Sequence, residues 1–249
     1  PGEPIMFNDG KIEGVVRSST MDELQVEITN AREAGSKLRA DKGVNLPKSD
    51  LSIEAITRKD RRDLDFVCER ADAVNISFLN NEQDVHCLLQ ELEKRKASIG
   101  IILKIETREG FHNLPRILLA AMQRYPVGVM VARGDLAIET GWKNFASIQE
   151  EIVRICEAAH LPDVWATQVL ESAAKKGTPT RAEITDAAVS QRAECVMLNK
   201  GIYIEKAVRL LDKILRRMQF FKDRQEVILP SLGGAEELRL SHEKYDIGD

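Results

Sequence analysis

From Leu51 onward, apolar positions fall into two alternating rhythms. Short runs rich in β-branched residues stand at 73–78, 98–106, 127–132, 163–167 and 194–198, and between them apolar residues recur at helical spacing. The spacing predicts helices at about 59–70, 82–96, 109–122 and 145–159, another from Arg181, and a last one carrying Ile204, Ala207, Val208, Leu211, Ile214, Leu215 and Met218. Thr57 with Asp60, and Thr180 with Glu183, have the three-residue offset of a capping box. Phe145, Ile148, Ile152, Ile155 and Ala159 share one helical face. Five strands separated by amphipathic helices imply a parallel sheet with helices outside it. A doubly wound sheet meets that pattern as well as a barrel does, so periodicity leaves the choice open.

Residues 1–47 follow a different rhythm. Asn8-Asp9-Gly10 is a hairpin signal between the apolar runs at 5–7 and 12–16, a further strand is expected at Leu24 to Ile28, and Gly35, Gly43 and Pro47 punctuate the exit. This reads as a small β-rich unit, followed by the α/β unit over 48–225 and a polar tail over 226–249.

Composition narrows the classes. With 43% hydrophobic and only 5% aromatic residues, the core is expected to be aliphatic. Net charge is −4 with both signs interspersed, so no block announces a nucleic-acid partner; the basic stretch from Lys206 to Arg224 reads as a solvated helix face. Cys68, Cys87, Cys156 and Cys195 form no CxxC pair and no Cys/His metal spacing, and are expected as buried thiols of a reducing compartment. No apolar run reaches transmembrane length and no secretory signal opens the chain, so a soluble cytoplasmic protein without a membrane partner is expected. The first residues, Pro1-Gly2-Glu3-Pro4 with no initiator Met, suggest a fragment, a processed chain or part of a longer protein.

In parallel α/β folds, reactive side chains gather at the C-terminal ends of the strands. Those positions hold Ser77, Lys104 with Glu106, Arg133-Gly134-Asp135, Thr167-Gln168 and Asn199-Lys200, a polar ring drawn from five strands. Lys104 and Glu106 are two apart, so both point to the same face of their strand. A lysine in Gly-Ile-Ile-Leu-Lys-Ile-Glu is costly to bury unless it is paired or functional. One reading is a Lys104–Glu106 ion pair inside a barrel; the other is a cation beside a metal-binding carboxylate. Glu106 and Asp135 are hard oxygen donors suited to Mg²⁺, which takes one or two carboxylates plus substrate oxygens and water. Gly134 in Arg-Gly-Asp is expected to leave backbone N–H groups free to meet an anion.

Lys104-Ile-Glu106, Val129-Met-Val-Ala-Arg-Gly-Asp-Leu136, Ala166-Thr-Gln-Val-Leu-Glu-Ser172 and Pro179-Thr-Arg-Ala-Glu183 resemble the successive signatures of pyruvate kinases. Asp41-Lys-Gly-Val-Asn-Leu-Pro47 is similar to the stretch where that family's chain returns from its lid domain to the barrel. The resemblance covers roughly residues 5–215. It implies a (β/α)8 TIM-type barrel, here its later strands, with the end of the β-rich lid. It implies phosphoryl transfer from phosphoenolpyruvate to ADP, giving pyruvate and ATP through an enolpyruvate stabilised by Mg²⁺. Lys104 would then neutralise the phosphoryl group, and Glu106 and Asp135 would hold Mg²⁺ (or Mn²⁺), with K⁺ as a further cation. Ala132, Arg133, Gly134 and Thr167 would hold the substrate carboxylate, Thr167 would assist protonation of the enol, and Ser77 would line the pocket.

A homo-oligomer is implied, with Pro179 to Glu183 capping a helix near a subunit interface. The chain departs from the family's pattern at Asn199-Lys200-Gly201-Ile202-Tyr203, where Ser-Gly-Glu-Thr is usual, at Leu103, where most members have Ser, and at Asn75. These changes lead to the expectation of an altered proton relay and altered nucleotide contacts. The family's first barrel strands have no counterpart here, and upstream chain is expected, since an open five-strand sheet exposes apolar edges. A metal-dependent aldolase or lyase acting on pyruvate or oxaloacetate, and an inactive barrel fragment, remain open beside the kinase.

Overall fold

The computed structural model describes residues 1–228 apart from 41, 50 and 52, with side chains described to residue 219. Four strands come first: β1 (Pro4–Phe7), β2 (Ile12–Ser19), β3 (Leu24–Asn30) and β4 (Val44–Asn45). They form one antiparallel sheet in the order β3-β2-β1-β4. The β1–β2 turn holds Asn8, Asp9 and Gly10, all with positive φ, conformations that Asn, Asp and Gly adopt at least cost.

Alternating units follow: α1 (Arg58–Arg70), β5 (Ala73–Ile76), α2 (Glu82–Lys94), β6 (Gly100–Ile105), α3 (Arg108–His112), α4 (Leu114–Ala121), β7 (Val127–Ala132), α5 (Arg133–Thr140), α6 (Trp142–Ala158), β8 (Asp163–Val169), α7 (Glu171–Lys176), α8 (Arg181–Val189), β9 (Cys195–Leu198) and α9 (Ile204–Ile228). Both capping boxes form, at Thr57/Asp60 and Thr180/Glu183. The helix expected over 109–122 is two helices. It breaks at Asn113, with Pro115, which cannot donate a backbone hydrogen bond, in the first turn of the second.

The five-stranded sheet is parallel throughout and runs β5-β6-β7-β8-β9, each strand beside its predecessor. A doubly wound sheet reverses its strand order part-way. This one only advances, so it is an arc of a (β/α) barrel. Its middle strand, β7, is buried at every position, whereas β5 and β9 are largely open.

Ile101, Leu103 and Ile105 of β6 pack with Leu88, Leu92, Ile117 and Ile152 in the layer between sheet and helices. Ile102 and Lys104, by alternation, take the other face. Leu103 therefore fills the helix-facing core and does not alter the face that carries Lys104. A second cluster joins Trp165, Val169 and Leu170 to α7, α8 and α9 through Ala173, Ala187, Ala207 and Leu211. Of the cysteines only Cys156 is buried; Cys68 and Cys87 are half-buried and Cys195 is exposed on the open strand β9, which corrects the expectation of four buried thiols. From residue 229 the polar tail lies outside the described residues, as does Asp41; residues 226–228 continue α9.

Candidate active site

Lys104 leaves the end of β6 on the face opposite the helices. Its ammonium donates to Ser77 Oγ at 2.8 Å and lies 3.1 Å from Glu106 Oε2, so the ion pair is formed and Ser77 joins it from the neighbouring strand's exit. Glu106 is 1% exposed. Its other oxygen accepts the Phe78 N–H at 2.7 Å. Burial pushes the Glu106 carboxyl up; Lys104 and the Phe78 N–H oppose that, and the nearby Asp135 charge adds to it.

Arg133-Gly134-Asp135 carries the glycine expected to leave backbone N–H groups free for an anion. It is the first turn of α5, which starts directly at the end of β7. Ala132 supplies no side-chain cap. The cap comes from another strand, since Thr167 Oγ1 accepts the Gly134 N–H at 2.8 Å. That N–H is therefore engaged by Thr167 and not free. Thr167, Gln168 and Leu170 have positive φ, as does Phe78 beyond β5. Such backbone in residues other than glycine costs roughly 1–2 kcal/mol each and collects where function constrains the chain.

The Arg133 side chain is committed to structure. It is 8% exposed. It donates to Ala166 O at 2.9 Å, Thr167 O at 2.6 Å and Asp186 Oδ2 at 2.9 Å, and stacks over Trp165 at 4.6 Å. This fork fixes the end of β8, and so the Thr167 hydroxyl, from behind. Asp186 went unnoticed in the sequence because it lies 53 residues from Arg133.

Asp135 faces the β1–β2 turn. Burial pushes its carboxyl up, Asn45 pulls it down, Asp9 pushes it up again and Lys104 lowers it. One helical turn on, Glu139 is also pushed up by burial, and its Oε1 accepts Asn45 Nδ2 at 3.1 Å. Neither Asn45 nor Glu139 was singled out in the sequence; a carboxylate four residues after Asp135 on a helix was the available signal. Ser77, Lys104, Glu106 and Asp135, and separately Gly134 with Thr167, are thus brought together. Gln168 is exposed, Asn199 half-buried and Lys200 exposed, outside these contacts.

The model of the pyruvate kinase barrel domain matches residues 1–208. The chain belongs to the pyruvate kinase family. A pyruvate kinase of Hypocrea jecorina is 39% identical over 215 residues, covering 84% of this chain and 38% of the relative. Pyruvate kinase 2 of Candida glabrata is 37% identical over 216 residues, covering 84% and 41%. A pyruvate kinase of Methanocaldococcus jannaschii is 33% identical over 222 residues, covering 86% and 47%. The chain thus spans less than half the length of these curated pyruvate kinases. No helix among the described residues is long and apolar enough to cross a membrane.

The pyruvate kinase barrel's metal chemistry can be tested on the donor set. Among the described residues, no three His, Cys, Asp or Glu side chains are placed to hold a metal ion by themselves. Glu106 is buried and Asp135 half-buried; burial pushes both carboxyls up, and the Asp135 charge adds to the rise at Glu106. Two such oxygens, with the other positions left to substrate and water, fit Mg²⁺.

Proposed function

We propose that the protein containing this chain transfers a phosphoryl group between phosphoenolpyruvate and ADP, yielding pyruvate and ATP. The supporting observation is the Ser77–Lys104–Glu106 network beside Asp135 and the Gly134–Thr167 contact, all at the C-terminal ends of successive parallel strands. We assign residues 1–47 to the end of a lid and 48–225 to the later barrel, in a cytoplasmic homo-oligomer.

Each residue's work follows from its surroundings. The Lys104 ammonium, anchored by Ser77 and Glu106, presents positive charge to a phosphoryl group in flight. Glu106 and Asp135 would hold Mg²⁺ or Mn²⁺; when bound, that ion supplies charge neutralisation for phosphoryl and enolate oxygens. A hydroxyl has one proton and two acceptor lone pairs. With one lone pair of Thr167 taken by the Gly134 N–H, its own proton remains to donate to a substrate carboxylate or towards the enol carbon. The first-turn N–H groups of α5 other than that of Gly134 would face the same anion. K⁺ is expected from the family and belongs in the assay.

The test is a lactate dehydrogenase-coupled assay of the full-length native protein with phosphoenolpyruvate, ADP, Mg²⁺ and K⁺. Turnover is expected, and Lys104→Met should lower kcat at least about 10²–10³-fold, the scale for removing one preorganised charge donor. Absence of turnover, with metal-dependent binding of oxalate retained, would sink the kinase reading and favour a lyase or a silent barrel.

A further inference from the structure

The antiparallel sheet meets the barrel helix α5 at two points. Asn45 Nδ2 donates to Glu139 Oε1 at 3.1 Å, and the β1–β2 turn lies so close that a Cβ on Gly10 would stand 3.0 Å from Ile138 Cδ1. Against this turn opens a cavity of about 290 Å³, lined by Asn8, Lys11, Arg32, Gly35, Ser36 and Lys37. Its walls come from two segments, the β1–β2 turn and the stretch that leaves β3. The second is folded back by the Gly35 N–H, which donates to Arg32 O at 2.8 Å. Gly35 has a φ of +81° and nothing within 4 Å of where a Cβ would stand, which leaves room for a ligand against the main chain.

The chemistry of the lining is one-sided. Lys11, Arg32 and Lys37 carry positive charge, Asn8 and Ser36 add an amide and a hydroxyl, and none of the lining residues is acidic. Lys11 is held loosely, 3.4 Å from Asp9 Oδ2 with half its side chain exposed. Among the described residues, Arg32 and Lys37 have no carboxylate within ion-pair distance. Elsewhere on this sheet a surface arginine is paired, as Arg17 is with Glu27. A solvated surface intersperses its signs, whereas here three cations that repel one another line a single opening. The volume stands at the small end of ligand pockets, which run from roughly 300 to 1,000 Å³. A compact anion fits both the size and the charge.

We infer that this cavity binds a phosphate group, with the Arg32 guanidinium offering its planar fork to two phosphate oxygens and Lys11 and Lys37 supplying point charges. The site is built wholly from residues 8–37 and is separate from the Lys104 position on the barrel. An occupant would tie the segment after β3 to the β1–β2 turn, where the sheet meets α5. Free inorganic phosphate and the phosphate chain of a nucleotide present the same group, and the experiment separates them.

The test is isothermal titration calorimetry of the full-length native protein with tripolyphosphate and with inorganic phosphate. Arg32→Gln/Lys37→Gln, at two exposed positions outside helix and strand, should weaken binding at least about tenfold, the scale of one lost charge-assisted hydrogen bond. Lys213→Gln/Arg217→Gln removes the same charge from α9 and should leave the affinity unchanged, as should Lys104→Met. Inorganic phosphate bound in the presence of saturating ADP identifies a free phosphate as the occupant. ADP that displaces tripolyphosphate, and loses affinity in Arg32→Gln/Lys37→Gln, identifies a nucleotide; either result upholds the site. Wild-type protein that binds neither probe would overturn it. So would equal weakening by the two double substitutions, which means diffuse attraction, or a loss confined to Lys104→Met, which places the anion on the barrel. Every readout is binding, so the turnover assay above stands or falls independently.

Discussion

The parallel sheet buries carboxyl groups at both of its ends, and it deals with them in opposite ways. At the C-terminal ends, burial pushes the Glu106 carboxyl up, but it sits 3.1 Å from a lysine and takes a backbone N–H at 2.7 Å, and both support its charged form against that push. At the N-terminal end of β8, Asp163 is 2% exposed and its neighbour is another acid, Glu194. The Asp163 N–H donates to Glu194 Oε2 at 2.8 Å, the two side chains also hydrogen-bond, and Asp163 Oδ2 has no protein partner. Two carboxyl groups can hydrogen-bond only by sharing a proton. Burial first, then Glu194, pushes the Asp163 carboxyl up to about 7. The same surroundings keep the buried Cys156 thiol neutral, pushed up to about 12 by burial with help from Asp163 and Glu194. One end of the sheet is built to carry charge and the other to carry a proton, which matches the division of parallel barrels into a reactive C-terminal face and a structural N-terminal one.

The largest expected effect lies at the proton-sharing end. A carboxyl whose folded pKa is raised from 3.8 to about 7 binds more protons folded than unfolded. Its contribution to stability is therefore lost as pH rises from about 4 through 7, and the full cost is present above pH 7. Asp163→Asn keeps the shape, keeps a donor towards Glu194 and removes the titration. The variant should be more stable than wild type by roughly 2–4 kcal/mol at pH 8, with the difference shrinking to nothing near pH 4. Urea unfolding across that range is the measurement. A variant less stable than wild type at pH 8 would break the contrast.

The strands were the most legible part of the sequence, and the reason is local. Val127–Ala132 is a run of small and β-branched residues bounded by Pro126 and a helix start, and its observed limits are those expected. Thr57 and Asp60 cap α1 from three residues apart, so the signal and the contact are one thing. The helices α5 and α7 were missed because neither has a side-chain cap of its own and each follows its strand almost without a loop. What caps α5 is Thr167, brought there only by the pairing of β7 with β8. The site divides along the same line. Lys104 and Glu106 were legible from strand parity, whereas Asn45, Asp186 and the Asp163–Glu194 pair depend on contacts that no local pattern encodes.

A smaller effect should sharpen the comparison from the charge-carrying end. Glu106 and Asp135 are both pushed towards their neutral forms by burial, and the nearby Asp135 charge is one cause of the Glu106 shift. A divalent cation between them would remove that mutual cost in the folded state only, since the unfolded chain does not bring 106 and 135 together. Binding to the folded state alone stabilises it in proportion to the logarithm of ligand over Kd, about 2.7 kcal/mol at a hundredfold excess. Mn²⁺ at pH 7 should therefore raise the melting temperature of wild type and of Asp163→Asn alike. It should leave Glu106→Gln nearly unmoved, because that variant keeps an acceptor for the Phe78 N–H but has lost the ligand charge. The two ends would then answer to different solutes, protons at Asp163 and a metal ion at Glu106. An Mn²⁺ shift that persists in Glu106→Gln and vanishes in Asp163→Asn would mean that the cation binds at the opposite end of the sheet, and the assignment of charge to one face and proton to the other would have to be reversed.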